Sequence, residues 1–216
     1  GDNTTVGNQA LTANTSGGQN TAVGADALKA VTTGGYNVAI GRDAGQSIVG
    51  GSNNTCVGAN ANDAGSTNYV TAIGNFAASA NTADNITAVG ADALKLNTSG
   101  VNNTAVGSFS LDANTTGNRN CALGIAALGV NTTGGNNIAI GANTLDANVT
   151  GGNNTGVGNQ SLGANTASDN TAVGNNAMFA NTSGTENVAV GANALDSNTS
   201  GSANTAIGLS ALGLST

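Results

Sequence analysis

The sequence predicts an all-β fold, a parallel β-solenoid (β-roll or β-helix) of about 13 coils of 16–17 residues each. One glycine recurs thirteen times, at spacings of 17 residues except for three of 16, and Val, Ile or Leu always precedes it. Self-similarity at a fixed short period is the mark of a stacked-repeat architecture. A helical solenoid is excluded, because its repeats are longer and its apolar residues recur at spacings of three and four. The recurring glycines are Gly7, Gly24, Gly41, Gly58, Gly74, Gly90, Gly107, Gly124, Gly141, Gly158, Gly174, Gly191 and Gly208.

Composition and charge are consistent with one elongated solenoid domain covering residues 1–216. Pro, Trp and His are absent and only five residues are Phe or Tyr, so the interior has to be thin. The net charge of −7, with only four basic residues, argues against nucleic acid and anionic membranes as partners. No apolar run is long enough for membrane insertion as a helix. Because the chain begins and ends within a repeat, we expect a segment of a longer fibre.

The residues before each recurring glycine read as a strand. Those one and three positions before it share a face, because strand side chains alternate, and Thr exchanges there with Val and Ile. We expect these two columns to form the core. Between them ten repeats carry Ala, as at Ala105, and nothing larger than Thr occurs. A closely packed neighbouring protomer would explain the small residues; alternatively the faces are reversed and Ala meets the opposite wall of the same chain.

The glycines predict the turns. The recurring glycine is expected at a bend that needs a positive φ or a close backbone approach. Ten residues later nine of twelve repeats have Gly again, and the others have Asn68, Asp84 and Ser168, which predicts a second, left-handed turn. Leu, four residues after the first glycine in nine repeats, supplies a second apolar ridge. Each coil should then contain two strands of five or six residues; a hexapeptide β-helix ranks second, because no six-residue subperiod is present.

Asparagine fills two further columns, four residues before the recurring glycine in eleven repeats and seven after it in nine. Stacked amides can form a hydrogen-bonded ladder, and Asn also suits bends, so both columns have a structural explanation. The alternative is that the amides bind a sugar. Asn97, Asn114 and Asn131 also begin Asn-X-Ser/Thr triplets, the acceptor sites of glycans.

The repeats are least regular between about Gly41 and Gly90, the irregular zone. Departures from repeat consistency are where function is expected. Tyr36, Tyr69 and Phe76 lie in or near this zone and are the candidate binding residues. The alternative is a tolerated irregularity in which aromatic side chains fill space. The departures are Gly45, Asn62 and Ala78 in the Leu column and Val31, Ile48 and Gly65 in the second Asn column.

The sequence offers no catalytic or metal-binding pattern. There is no histidine, no metal-ligand cluster and no phosphate loop, so we expect neither an enzyme nor a cofactor or metal. Asp26 with Lys29, like Asp92 with Lys95, reads as a solvated surface pair. Cys56 and Cys121 lie four coils apart, about 19 Å, which exceeds the limit of about 7 Å between bridged Cα atoms. They are therefore expected to be two buried free thiols.

The repeated phrases resemble a known family. Asn103-Thr104-Ala105-Val106-Gly107 and Asn37-Val38-Ala39-Ile40-Gly41 are similar to repeats of trimeric autotransporter adhesin heads and of phage tail-fibre shafts. The resemblance extends from Asn3 to Gly208. It implies a left-handed roll in a homotrimer or filament, a place outside the cell on a cell or virion surface, and binding to a host-surface protein or glycan. The repeat is longer than that family's, and its Asn lies one place nearer the glycine.

The predicted function is that of a structural or adhesive extracellular fibre segment, an adhesin head or tail-fibre shaft, that displays a binding surface. One alternative is a fibril decorated with glycans at the triplets named above. Another is an ice-binding solenoid, because a regular Thr row on a flat face can order water. The residues of that row are Thr15, Thr82, Thr98, Thr115, Thr132, Thr166, Thr182 and Thr199.

Overall fold

The computed structural model describes residues 1–213 and confirms a stack of parallel coils. Each coil contributes one strand of three residues: β1 (Thr4–Val6), β2 (Thr21–Val23), β3 (Val38–Ile40), β4 (Thr55–Val57), β5 (Thr71–Ile73), β6 (Thr87–Val89), β7 (Thr104–Val106), β8 (Cys121–Leu123), β9 (Ile138–Ile140), β10 (Thr155–Val157), β11 (Thr171–Val173), β12 (Val188–Val190) and β13 (Thr205–Ile207). They form one sheet in chain order, and every pairing is parallel and in register. The last three residues of the predicted domain lie outside the described part, and residues 1–213 contain no helix capable of crossing a membrane.

The rest of each coil is turn backbone, so the prediction of two longer strands per coil is wrong. The residues two and four positions after the recurring glycine have φ values between 48° and 59°, as Phe109 and Leu111 do. Left-handed residues at alternate positions interrupt an extended chain. The turns still bond to the next coil: the Leu111 amide donates to the Ala127 carbonyl at 3.0 Å, and the Thr115 amide to the Thr132 carbonyl at 2.9 Å.

The recurring glycine meets both conditions predicted for it. Gly107 has a φ of +135°, and a Cβ at this position would collide with the carbonyl oxygen of Gly124 in the next coil. The second glycine column meets only one. Gly117 is packed equally close to the carbonyl of Gly134, but the left-handed residue lies two positions further on, at Arg119. Close approach, rather than a left-handed φ, therefore selects glycine in the second column.

The three coils of 16 residues lose one residue just before this second column. In a longer coil the Asn148 side-chain amide donates to the Gly151 carbonyl, three residues on. In a shorter one the Asn165 amide donates to the Ala167 carbonyl, two residues on. The structural equivalents of the second glycine in the short coils are thus Thr67, Ala83 and Ala167, which corrects the assignment of Asn68, Asp84 and Ser168.

The strands face the opposite way from the first prediction. The middle residue of the strand points inward, so Ala105 is fully buried, and its outward neighbours are half-buried or exposed. The predicted core of Val, Ile and Thr on the strand is therefore wrong, and the reversed alternative is confirmed. The reason is the flatness of the coil, whose inner strand residue meets the opposite wall directly. Where that wall carries the larger Thr144, the strand carries Gly156, whose Cβ would lie 2.6 Å from Thr144 Cγ2.

The core is one thin layer along the axis of the stack. It contains the middle strand residues, the Ala three positions after the recurring glycine, and the Leu four positions after it, as in Ala105, Ala93 and Leu94. The Leu column thus forms the predicted second apolar ridge. Because the coil's own opposite wall accounts for the small middle residues, they no longer point to a neighbouring protomer.

Candidate functional site

The sheet turns one continuous face outward, formed by the first and third residues of each strand. We call it the outer strand face. Ile40 is 43 % and Leu123 46 % exposed, although the third position is always Val, Ile or Leu. The third-position residues are Val6, Val23, Ile40, Val57, Ile73, Val89, Val106, Leu123, Ile140, Val157, Val173, Val190 and Ile207, and the first-position residues are Thr4, Thr21, Val38, Thr55, Thr71, Thr87, Thr104, Cys121, Ile138, Thr155, Thr171, Val188 and Thr205.

No charge lies on this face, because all four basic and all eleven acidic residues occupy other columns. Two of the acidic residues belong to the predicted surface pairs. Lys29 Nζ lies 3.0 Å from Asp26 Oδ1, and Lys95 Nζ lies 2.9 Å from Asp92 Oδ1, with both lysines partly exposed. These pairs follow the strand at the turn and are solvated, as expected. Within residues 1–213, no group of three or more His, Cys, Asp or Glu could hold a metal ion.

The first Asn column is a buried structural ladder. The Asn120 backbone amide donates to Asn103 Oδ1 at 2.9 Å, and Asn103 Nδ2 donates to the Gly117 carbonyl at 2.7 Å. The two side chains are about 1 % exposed. The ladder prediction is confirmed, and these amides are neither free nor accessible enough to bind a sugar.

The second Asn column forms a ladder of side chains. Asn114 Nδ2 donates to Asn97 Oδ1 at 2.7 Å, and Asn131 Nδ2 donates to Asn114 Oδ1 at 3.0 Å. All three residues are fully buried, so a glycan could not be attached to them in the folded coil. The ladder is interrupted at the short coil, where Asn165 does not reach Asn148 and Asn148 Oδ1 is buried without a partner.

The irregular zone keeps its interior filled by exchanges between columns. Gly45 replaces Leu, and a Cβ there would lie 2.9 Å from Leu28 Cδ2 and 3.1 Å from Ile48 Cδ1. Ile48, in the second Asn column, is fully buried and supplies the missing volume. One coil further, Asn62 replaces Leu and donates from Nδ2 to Thr67 Oγ1 at 2.8 Å.

The three candidate binding residues fall into two groups. Tyr36 and Tyr69 occupy one column, five residues before the recurring glycine, and are 63 % and 62 % exposed. They lie two coils apart, about 9.6 Å, with exposed Asn53 between them. Phe76 lies instead on the turn that follows β5, 37 % exposed, with Lys95 Nζ 5.4 Å from its ring centroid. The tyrosines therefore do not fill space inside the coil, and Phe76 does not join them.

An open polar hollow of about 430 Å³ lies beside Tyr36. Gln19 and Ser52 contribute side chains to it, and Gly18 and Gly35 contribute backbone. An exposed aromatic ring beside hydrogen-bonding groups is the kind of surface on which a sugar ring can stack. The sequence indicated the tyrosines through their rarity, but not the hollow, because its lining comes from three different coils.

The predicted Thr row also faces outward. Thr98, for example, is exposed, and its hydroxyl donates to the Thr115 carbonyl at 2.9 Å; the Thr115 hydroxyl donates to the Thr132 carbonyl at 3.0 Å. The hydroxyl protons are thus directed along the stack, and the oxygen lone pairs and methyl groups remain for solvent.

The two cysteines are free, as predicted, but only one is fully buried. Cys56 lies in the middle of β4, and burial raises the pKa of its thiol to about 12. Cys121 is the first residue of β8 and is half-buried on the outer strand face, which corrects the prediction that both are buried. Burial also raises the pKa of the Asp63, Asp112 and Asp146 carboxyl groups. These three side chains are not clustered into a site.

No family model, no curated protein and no solved structure matches this chain.

Proposed function

We propose that the chain is a non-catalytic structural segment of an extracellular fibre, on a cell or virion surface, which displays a binding surface. The observation that carries this proposal is the unbroken series of twelve in-register strand pairings along residues 4–207. Thirteen coils at about 4.8 Å each give a rod of about 60 Å. The buried Asn ladders join consecutive coils over most of this length, which resists bending.

Two further features support a fibre. The interior is occupied by the chain's own side chains and ladders, so binding has to use the outside of the rod. The repeated Asn-Thr-Ala-Val-Gly phrase resembles adhesin heads and tail-fibre shafts, in which several chains assemble. We accordingly propose a homotrimer or filament as the working form.

For the displayed site we propose Tyr36 and Tyr69, with a host-surface glycan as the ligand. Their rings are the most exposed aromatic surfaces of the chain, and Asn53 between them provides an amide for hydrogen bonds to hydroxyl groups. Phe76 is left out of this site because it lies on the far side of the strand.

Binding of the labelled chain to an immobilised glycan array tests this site. We expect saturable binding to at least one glycan class, and at least about tenfold weaker binding after Tyr36→Asn and Tyr69→Asn, a loss of about 1.4 kcal/mol. Asn already occupies this left-handed column at Asn53, so the backbone tolerates the change. The control, Asn102→Ser with Asn136→Ser, alters the same column two coils apart. Absence of saturable binding, or full binding by the tyrosine variant, would refute the site.

Ice binding is the second candidate, and the outward-facing Thr row is the observation that favours it. Thr98 and Thr182 are exposed on this row, at the regular coil spacing of about 4.8 Å. Measurement of thermal hysteresis tests it: a freezing-point gap that disappears after Thr98→Lys and Thr182→Lys supports ice binding. A gap indistinguishable from that of an unrelated protein of equal mass excludes it.

A further inference from the structure

We propose that the outer strand face is the surface through which copies of this chain associate side by side along their length. The inference rests on the proposed fibre function and gives it a specific seam. The middle strand residues, which had pointed to a neighbour, are buried within the coil. The opposite side of the same strands is the exposed one.

The first argument is the continuity of the apolar surface. Scattered apolar residues on a protein surface are normal, whereas a contiguous exposed patch marks an interaction site. Here Val, Ile or Leu occupies the third position of all thirteen strands, one coil above another. Val38, Ile138 and Val188 extend the apolar surface into the neighbouring column. The patch therefore runs the full length of the sheet.

The second argument is the contrast between the two outward columns. Thr and Val have similar shapes and both favour strands, so strand propensity does not separate them. Yet Thr fills nine of thirteen first positions and none of the third positions. Water at the surface would accept either residue. Burial against a partner would not, because a hydroxyl without a hydrogen-bond partner is costly to remove from water.

The third argument is charge. Two copies with a net charge of −7 each repel one another, and charged groups are expensive to bury. The outer strand face carries no charged residue, so it can be covered without burying any. An identical uncharged face is the partner surface that this chain itself supplies.

The fourth argument is the match of repeat and area. A second copy has the same coil spacing, so ridges of side chains can interdigitate from end to end without losing register. Three strand residues across and thirteen strands along give about 10 Å by 60 Å, or about 600 Å² on each partner. The total of about 1,200 Å² reaches the lower limit of specific protein interfaces. Sheets packed in this way lie about 10 Å apart.

Light scattering of the whole chain, with two charged variants, tests the proposal. We expect a mass two or three times 20.4 kDa for the original chain. Val106→Lys with Ile140→Lys places two charges on the face and should reduce the mass to that of one chain. The matched control, Thr116→Lys with Thr150→Lys, adds the same charge to the same two coils at exposed turn positions and should keep the multiple.

A second variant covers the case in which the lysines prevent folding. Val106→Thr with Ile140→Thr introduces only a residue that the strands already use, and we expect at least tenfold weaker association with an unchanged circular dichroism spectrum. A mass of 20.4 kDa for the original chain at every concentration would overturn the proposal, as would an undiminished multiple in the Lys variant. A single chain whose thermal hysteresis is lost in the Lys variant would also overturn it and assign the face to ice. Glycan binding reports separately on the fibre function, because Tyr36 and Tyr69 lie outside the face.

Discussion

The regular coils between Gly90 and Gly158 and the irregular zone before them have the same backbone but different interiors. In the regular coils Asn97 and Asn114 continue an unbroken side-chain ladder. Near and within the irregular zone, apolar residues such as Ile48 replace the Asn and are equally buried. Nevertheless the strands pair in the same register, and Gly58 has a φ of +131°, close to the +135° of Gly107.

This difference separates what the coil requires from what it tolerates. The backbone positions are strict, because a carbonyl of the next coil occupies the place of any Cβ at the recurring glycine. The interior is tolerant as long as volume and hydrogen bonds are exchanged in pairs. Ile48 compensates for Gly45 in the irregular zone, and Gly156 compensates for Thr144 in the regular coils.

Alanine at the recurring glycine should have the largest effect, and an equal one in both regions. We expect Gly107→Ala and Gly58→Ala each to destabilise the fold by at least about 3 kcal/mol, because the φ is strained for an L-residue and the Cβ collides. Thermal and denaturant unfolding followed by circular dichroism measures this. Gly50→Ala is the control, since its Cβ would have no neighbour closer than 3.6 Å, and should change stability by about 0.5 kcal/mol or less. A much smaller effect at Gly58 would show that the backbones differ.

Exchanging the interiors of the two regions should be costly in both directions. Asn114→Val leaves Asn97 Oδ1 and the amide of Asn131 unpaired, and we expect a loss of about 2–3 kcal/mol. Ile48→Asn removes apolar volume beside Gly45 and buries an amide between the apolar Val31 and the side-chain-free Gly65, with a similar loss. The denaturant midpoints of the two variants measure both. If either exchange were neutral, the ladders and the apolar exchanges would not be coupled to their surroundings.

A smaller effect should appear at alkaline pH in the irregular zone alone. Burial raises the pKa of Cys56 from 9.0 to about 12, so the folded state favours the neutral thiol. Its contribution is fully present below pH 9 and is lost as the pH rises towards 12, by about 1.4 kcal/mol at pH 10. Chemical denaturation between pH 8 and 10.5 measures the slope. Cys56→Ala should remove this part of it, whereas Cys121→Ala should not, and equal slopes in all three proteins would contradict the burial of Cys56.

The sequence allowed the coil, its number and its ladders to be predicted, because these depend on period and on residue types that stack. The spacing of Gly90 and Gly107 sets the coil length, and Asn at positions such as 103 and 120 indicates a ladder. Burial of these ladders also accounts for why Asn97 is not a glycan acceptor in the folded chain.

The direction of the strand could not be predicted, because both of its faces resemble a core. Alternation shows that Ala105 opposes Thr104 and Val106 but not which side is inside. The two-strand coil was wrong because Leu111, with a φ of 49°, adopts a conformation that its residue type does not announce. Tyr36 and Tyr69 were selected correctly as exposed residues, whereas the separation of Phe76 depends on the course of the turn after β5.

The most direct test of the inward middle residue is the reactivity of the two native thiols. The variant with Val106→Lys and Ile140→Lys keeps the outer strand face open to solvent, and iodoacetamide at pH 8 with mass spectrometry gives the rate at each cysteine. We predict rapid modification of half-buried Cys121 and protection of buried Cys56 until the chain is unfolded. Rapid modification of Cys56 with protection of Cys121 would contradict the account, because it would place the middle of each strand outside.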